Sequence, residues 1–183
     1  DDYQACAKRL SSVGADWITV NISSPNTPGL RSLQTKEGIE HIVQAVRAEV
    51  GTEIPVLVKI APDLTEDQLE GLIRVLMDLR IDGVIASNTT TARDGLRSPI
   101  DEVGGLSGAP LYLQTKARVR AIQQITQGCV PLIAVGGGHD GGSGTTIAKD
   151  ASNSRDGSSK ELVMSSSEPL DGDEPPLSPI TDP

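Results

Sequence analysis

Phenylalanine is absent from this chain, and its aromatic residues are one tryptophan and two tyrosines. A core here has to be assembled from Val, Ile, Leu and Ala. Hydrophobic residues make up 37% of the 183, which is low for a compact domain of that length. Cysteine is scarce as well. Cys6 and Cys129 form neither a disulfide framework nor a metal-ligand spacing, so two reduced thiols and no metal are expected. Positive charge is in deficit, with 16 Lys and Arg against 25 Asp and Glu and a formal net charge of −9. That balance excludes nucleic acid as a partner, because phosphate backbones are gripped by clusters of Lys and Arg. No apolar run approaches the ~20 residues of a membrane span. The first residues, Asp1-Asp2-Tyr3, match neither a signal peptide nor a transit peptide, and no initiator Met precedes them. The chain is therefore expected to be a fragment or a processed piece, whose lack of a targeting segment says little about location.

What is present is an alternation of strand and helix signals over residues 1–138. Residues 3–13 are helix-compatible and stop at Gly14. A strand is predicted over 17–22, and a helix over 36–50 with Ile39, Ile42, Val43 and Val46 on one face. A second strand is predicted over 54–60. The clearest helix covers 65–79, where Thr65 and Gln68 form a capping-box pattern and Leu69, Leu72, Ile73, Leu76 and Met77 follow helical spacing. A third strand over 83–87, a helix over 111–126 and a fourth strand over 130–135 complete the pattern. Serial βα units imply a parallel sheet with helical crossovers. The near-continuous apolar strands suggest cover on both faces. Polar residues gather just beyond the strand C-termini, the edge that carries the site in barrels and in open α/β sheets alike.

Past Gly138 the pattern ends. Residues 139–183 are rich in Ser, Gly, Asp and Pro and hold nine acidic against three basic residues. Such a segment buries too little to offset ordering entropy. It is expected to be a disordered, low-complexity acidic tail, with Leu162-Val163-Met164 its one candidate element.

The candidate chemistry lies in five places. The loop after the first strand, Asn21-Ile22-Ser23-Ser24-Pro25-Asn26, packs amides and hydroxyls between stiffening prolines, more than a turn requires. Ser24 has no histidine near it in sequence, so a Ser–His–Asp triad is poorly supported; any proton it accepts leaves with help from water or a ligand. Lys59 ends a buried apolar strand, where an ammonium either snorkels to the rim or faces an anionic or electron-rich ligand. Ser87-Asn88-Thr89-Thr90 repeats the amide-and-hydroxyl theme, which suits planar heterocycles with mixed donors and acceptors. Gly104-Gly105-Leu106-Ser107-Gly108 and Gly136-Gly137-Gly138 are either permissive turns or places of close backbone approach to a phosphate or flavin. Neither is a P-loop or a GxGxxG fingerprint.

Taken in order, these blocks resemble class 2 dihydroorotate dehydrogenase, the quinone-linked enzyme of pyrimidine synthesis. The matching pieces are the loop over 21–31, Leu57-Val58-Lys59-Ile60-Ala61-Pro62-Asp63-Leu64, Asp82-Gly83-Val84-Ile85-Ala86-Ser87-Asn88-Thr89-Thr90, Gly104-Gly105-Leu106-Ser107-Gly108 and Val135-Gly136-Gly137. The resemblance covers residues 3–138. It implies an α/β fold, part of a (β/α)8 TIM barrel, with about strands four to seven present. It divides the chain into a partial FMN-binding barrel over 1–138 and the tail over 139–183. It implies that Ser24 is the base taking a proton from C5 of dihydroorotate while hydride leaves C6 for FMN. Soluble class 1 enzymes generally carry Cys there. Asn21 matches a residue touching both substrate and flavin, and Asn26, Asn88 and Thr89 match substrate-binding positions. Lys59, Ser87, Gly108 and Gly137 match flavin-binding positions; Ser87 stands where the family usually has Thr and keeps the hydroxyl.

The same resemblance implies dihydroorotate, orotate and quinone as partners. It implies membrane association through a missing N-terminal part, at the mitochondrial inner membrane or a bacterial cytoplasmic membrane, with the mitochondrial favoured. By the resemblance the early strands are expected upstream of Asp1, and the Gly-Ala-Ser segment and Tyr-containing phosphate turn it implies are not found after Gly137. An abrupt replacement such as retained intron or frameshifted coding is expected there. The alternative to an enzyme is a truncated, non-catalytic fragment or splice product. Another FMN barrel, of the pyrimidine-reducing kind, is disfavoured by Ser24 in place of Cys.

Overall fold

The computed structural model describes residues 2–25, 35–94, 96, 103–137 and 147–148. The chain divides into units Asp1–Ser152 and Asn153–Pro183, and every described residue belongs to the first. The candidate element at Leu162-Val163-Met164 and most of the expected tail lie outside the described residues.

Helix α1 is Asp2–Ser12 and strand β1 Ile18–Asn21. Helix α2, Lys36–Val50, opens on Thr35, whose hydroxyl accepts from the Gly38 amide at 3.2 Å, and stops at Gly51. Strand β2 is Val56–Ile60. Helix α3, Glu66–Asp78, carries the expected capping box: the Gln68 amide donates to Thr65 Oγ1 at 3.2 Å, and the Thr65 amide donates to Gln68 Oε1 at 2.9 Å. Strand β3 is Gly83–Ala86. A 3-10 turn, Ala109–Leu111, leads into helix α4, Tyr112–Thr126, and strand β4 is Leu132–Ala134. Strand β5, Ile147–Ala148, falls where no strand was expected. It pairs antiparallel with β4, Ile133 opposite Ile147; two apolar residues in a polar stretch meet the open edge of a three-residue strand.

Strands β1 to β4 pair in parallel and in chain order. Crossovers of one hand between successive neighbours set every helix on the same face of the sheet. The core shows this directly. Ile18, Val20, Ile22, Val56, Val58, Ile60, Val84, Ala86 and Leu132 form one buried cluster with residues of α1, α2, α3 and α4. The alternate residues Thr19, Asn21, Leu57, Lys59, Ile85 and Ile133 leave the sheet on its other side. There Leu57 and Ile85 are still buried, whereas Thr19 and Asn21 are exposed. Cover on both faces was expected; helices cover one. A sheet wound on one side only, with no reversal of strand order, is a barrel segment rather than an open doubly wound sheet.

The N-terminal edge of the sheet is fastened by Arg47 and Asp82. Asp82 accepts from the Val56 amide at 2.7 Å and pairs with Arg47, which also donates to the Gly51 and Ile54 carbonyls. This ties the end of α2 to the starts of β2 and β3. Loss of the capping box is expected to register in equilibrium unfolding: Thr65→Ala should cost about 1 kcal/mol in urea titration. An unmoved midpoint would remove the box as a determinant of α3.

Candidate functional site at the strand C-termini

Parallel register sets the site's first pair. Asn21 lies opposite Lys59, which lies opposite Ile85, so amide and ammonium are neighbours on the open face at the strand exits. Lys59 is half-buried and makes no ion pair among the described residues. A cation held there without an anion fits a site that takes an electron-rich or anionic group.

Asn88 comes from the exit of β3 and joins Asn21 through Ser23. The Ser23 amide and hydroxyl both donate to Asn21 Oδ1, at 3.2 and 3.0 Å. Asn88 Nδ2 donates to Ser23 Oγ at 3.1 Å and, at 3.4 Å, to Asn21 Oδ1. The Thr89 amide in turn donates to Asn88 Oδ1 at 2.8 Å. Ser24 follows Ser23 directly and is half-buried. Ser87 is buried, and its hydroxyl donates to the Asn88 carbonyl at 3.3 Å.

The glycine loop of 104–108 closes on this cluster. Thr90 and Leu106 exchange backbone bonds of 3.1 and 2.7 Å. A Cβ on Gly105 would run into the Thr89 side chain and lie 3.1 Å from Pro25 Cγ. Only glycine therefore lets this loop reach both the Ser24–Pro25 turn and Thr89. The arrangement is held from outside by Asp63, whose carboxylate accepts from the Thr90 hydroxyl and from the Thr91 amide at 3.0 Å. The turn bearing Asp63 is gripped by α4: Gln114 and Arg118 both donate to the Pro62 carbonyl at 3.1 Å, and Arg118 pairs with Glu66 at 2.7 Å.

A second group forms at the exit of β4. Gly136 and Gly137 hold φ of +111° and +83°, and a Cβ on Gly137 would collide with the Tyr112 backbone. The turn thus lies against the first residue of α4, whose N-terminus has no side-chain cap. Beside it the Thr115 hydroxyl is buried with no hydrogen-bond partner, 3.4 Å from where a Gly136 Cβ would stand. The Tyr112 amide is already spent on the Ala109 carbonyl of the 3-10 turn, so the orphaned Thr115 hydroxyl is the donor this turn can offer to an anionic oxygen. Gly108, at φ +85°, precedes the 3-10 turn, and a Cβ there would meet nothing within 4 Å.

The structure therefore gathers Asn21, Asn88 and Thr89 into one network, with Lys59 in register beside it and Ser24 adjoining. Gly137 stands in the β4 group, and Asn26 lies outside the described residues. Sequence reasoning gave no separate role to Ser23, Asp63, Arg118 or Thr115 and read Gly105 only as part of a glycine loop. Ser23, Asp63, Gly105 and Arg118 act on residues far along the chain, which no local pattern announces, and Thr115 is marked only by its unpaired buried hydroxyl. Among the described residues no cluster of His, Cys, Asp and Glu could hold a metal, and no helix is long and apolar enough to cross a membrane.

A one-sided parallel sheet with its polar loops joined at the strand exits defines a segment of a (β/α)8-barrel protein. The sequence pattern of the family described as dihydroorotate dehydrogenase matches residues 1–144. The chain belongs to that family. It is 47% identical over 146 residues to the dihydroorotate dehydrogenase (quinone) of Pseudarthrobacter chlorophenolicus, covering 75% of this chain and 41% of that protein. It is 43% identical over 146 residues to the protein of the same name from Thermosynechococcus vestitus, with 75% and 40% covered. A crystal structure of DHODH in complex with ferulenol from Eimeria tenella superposes with a TM-score of 0.71 at 35% identity, covering 76% of this chain and 43% of that one. The chain thus spans about two fifths of the length of the curated relatives it matches.

Two outcomes follow from these contacts. Gly105→Ala should force the 104–108 loop off Thr89 and Pro25, costing about 1–3 kcal/mol in denaturant titration; unchanged stability would show that the loop is not held there. Tyr3 donates to the Asn21 carbonyl at 2.8 Å, and burial raises its phenol above the usual 10.0. The unfolded chain then loses this proton first as pH rises, so stability is full below about pH 10 and falls above it. Tyr3→Phe should cost about 1 kcal/mol at neutral pH and flatten that alkaline loss in a pH series of thermal melts.

Proposed function

We propose that this chain forms the substrate-facing part of a quinone-linked dihydroorotate dehydrogenase. The observation that carries the reading is the junction of Asn21, Ser23 and Asn88 at one sheet edge, with Ser24 next in the chain and Lys59 in register beside it, in a chain of this family. Asn21 and Asn88 donate N–H groups to the carbonyl and carboxylate oxygens of dihydroorotate, with Asn26 and Thr89 completing the grip. Ser24 accepts the proton from C5 and passes it to water. Lys59, Ser87, Gly108 and Gly137 would hold FMN, with the Thr115 hydroxyl beside Gly136 suited to its phosphate. The chemistry supplied by FMN when bound is hydride acceptance, and the Lys59 charge favours an electron-rich ring beside it. Quinone, the acceptor in the relatives' name, takes the electrons onward, in pyrimidine synthesis at a membrane. The curated relatives named above are bacterial, which lends nothing to a mitochondrial placement.

A second reading has its own support. The sheet is open, and the chain matches only about 41% of a relative's length, so a non-catalytic partial barrel is the alternative. One experiment separates the two. The purified chain is mixed with FMN, freed of excess, and its visible spectrum followed on adding dihydroorotate. A bound yellow flavin that bleaches supports the enzyme, and colourless protein supports the non-catalytic segment. Ser24→Ala should bind the flavin and bleach at least about 100-fold more slowly; equal bleaching would remove Ser24 as the base.

A further inference from the structure

Ser23 has no exposed surface and sits between the two amides that face the ligand. The orientation of those amides follows from two backbone donors. A main-chain N–H can only donate, so the Asn21 atom facing the Ser23 amide is oxygen, and the Asn88 atom facing the Thr89 amide is oxygen. The remaining Asn88 atom is then nitrogen, and it donates to Ser23 Oγ. While accepting there, the Ser23 hydroxyl donates its own proton to Asn21 Oδ1. Every oxygen of the two amides is thus engaged within the network. Asn21 Nδ2 makes no hydrogen bond among the described residues; Ser23 Oγ and Asn21 Oδ1 lie 3.0 Å apart, so one Asn88 N–H, shared between them at 3.1 and 3.4 Å, serves both and leaves the second N–H over.

We infer that Ser23 is a positioning residue: the Ser23 and Thr89 backbone N–H groups set which way the two amides face, and the Ser23 hydroxyl, accepting from Asn88 and donating to Asn21, bridges them so that their spare N–H groups are held together for carbonyl or carboxylate oxygens of a ligand. Turning either amide over would set N–H against a backbone N–H, and a buried donor left without an acceptor is costly. The network is therefore fixed before any ligand arrives. The ligand's identity as orotate rests on the function proposed above; the amide orientation does not.

The test uses the whole chain with FMN present and orotate as the probe. Side-chain amide NMR reads the exchange of the Asn88 Nδ2 protons, and the same resonances report orotate binding. The proton donated to Ser23 should exchange at least about tenfold more slowly than its partner. Ser23→Ala should abolish that protection and weaken orotate about tenfold, and Ser23→Thr, which restores a hydroxyl, should recover both. Asn21→Asp keeps the inward acceptor but removes the outward donor; it should fold with the wild-type melting temperature and lose orotate. A folded Ser23→Ala with unchanged protection and affinity overturns the proposal, as does Asn21→Asp binding orotate like wild type. Should Ser23→Ala not fold, the Asn21→Asp result decides. If the wild-type chain does not bind orotate, the dihydroorotate reading fails for this chain, and the Asn88 exchange pattern still decides the role of Ser23.

Discussion

Parallel pairing in strict chain order governs this molecule. Because β1 to β4 enter from one end, every strand exit lies at the same edge, and every polar exit residue becomes a neighbour of the others. The same order sends the helices to one face and leaves the alternate residues, Asn21 and Lys59 among them, on a face free of helices. The two edges then divide their work. At the entry edge Asp82 and Arg47 satisfy one another and four backbone groups nearby. At the exit edge the amides keep donors in reserve. A barrel sheet separates stability from chemistry in this way by geometry alone.

The exit loops owe their shape to residues that touch no ligand position. Arg118 and Gln114 reach from α4 to the turn after β2, and Asp63 reaches from that turn to the loop after β3. Through the Thr90–Leu106 bridge the same loop holds the glycine segment against Pro25. An outer helix thus bears on the turn that carries Ser24 by way of four short contacts. The first three links are carboxylate, guanidinium, amide and backbone hydrogen bonds, and only the last, Gly105 against Pro25, is packing.

Much of the fold was legible in the residues. The helix over 36–50 and the Thr65–Gln68 box appear where the pattern placed them, since caps and apolar periodicity are local signals. Strand ends were read too long. Trp17, Ile54 and Val130 are apolar, yet the ladder extends only as far as a neighbour offers a partner, which sequence does not display. The site split along the same line. Asn21, Lys59 and Asn88 could be picked out as polar groups at strand exits. Ser23 looked like one hydroxyl among several, because its bond to Asn88 spans 65 residues. Asp63 was visible as part of a motif, but its work is done on Thr90 and Thr91, which sequence does not bring near it.

The fate of the sheet's margins has a bearing on how this protein behaves in concentrated solution. Ile18 donates to Pro55, so in β1 the groups of Ile18 and Val20 point inward to β2 and those of Thr19 and Asn21 point outward. The Tyr3 hydroxyl already occupies the outward Asn21 carbonyl, while Ile147–Ala148 runs antiparallel along β4 at the opposite margin. Strand-by-strand stacking of copies needs a row of vacant backbone groups on each side. Here one row is blunted by a phenol and the other is occupied by a short antiparallel strand. An incoming parallel strand would have to displace that strand before it could add to the sheet, so head-to-tail fibre growth through these edges meets a barrier at both ends.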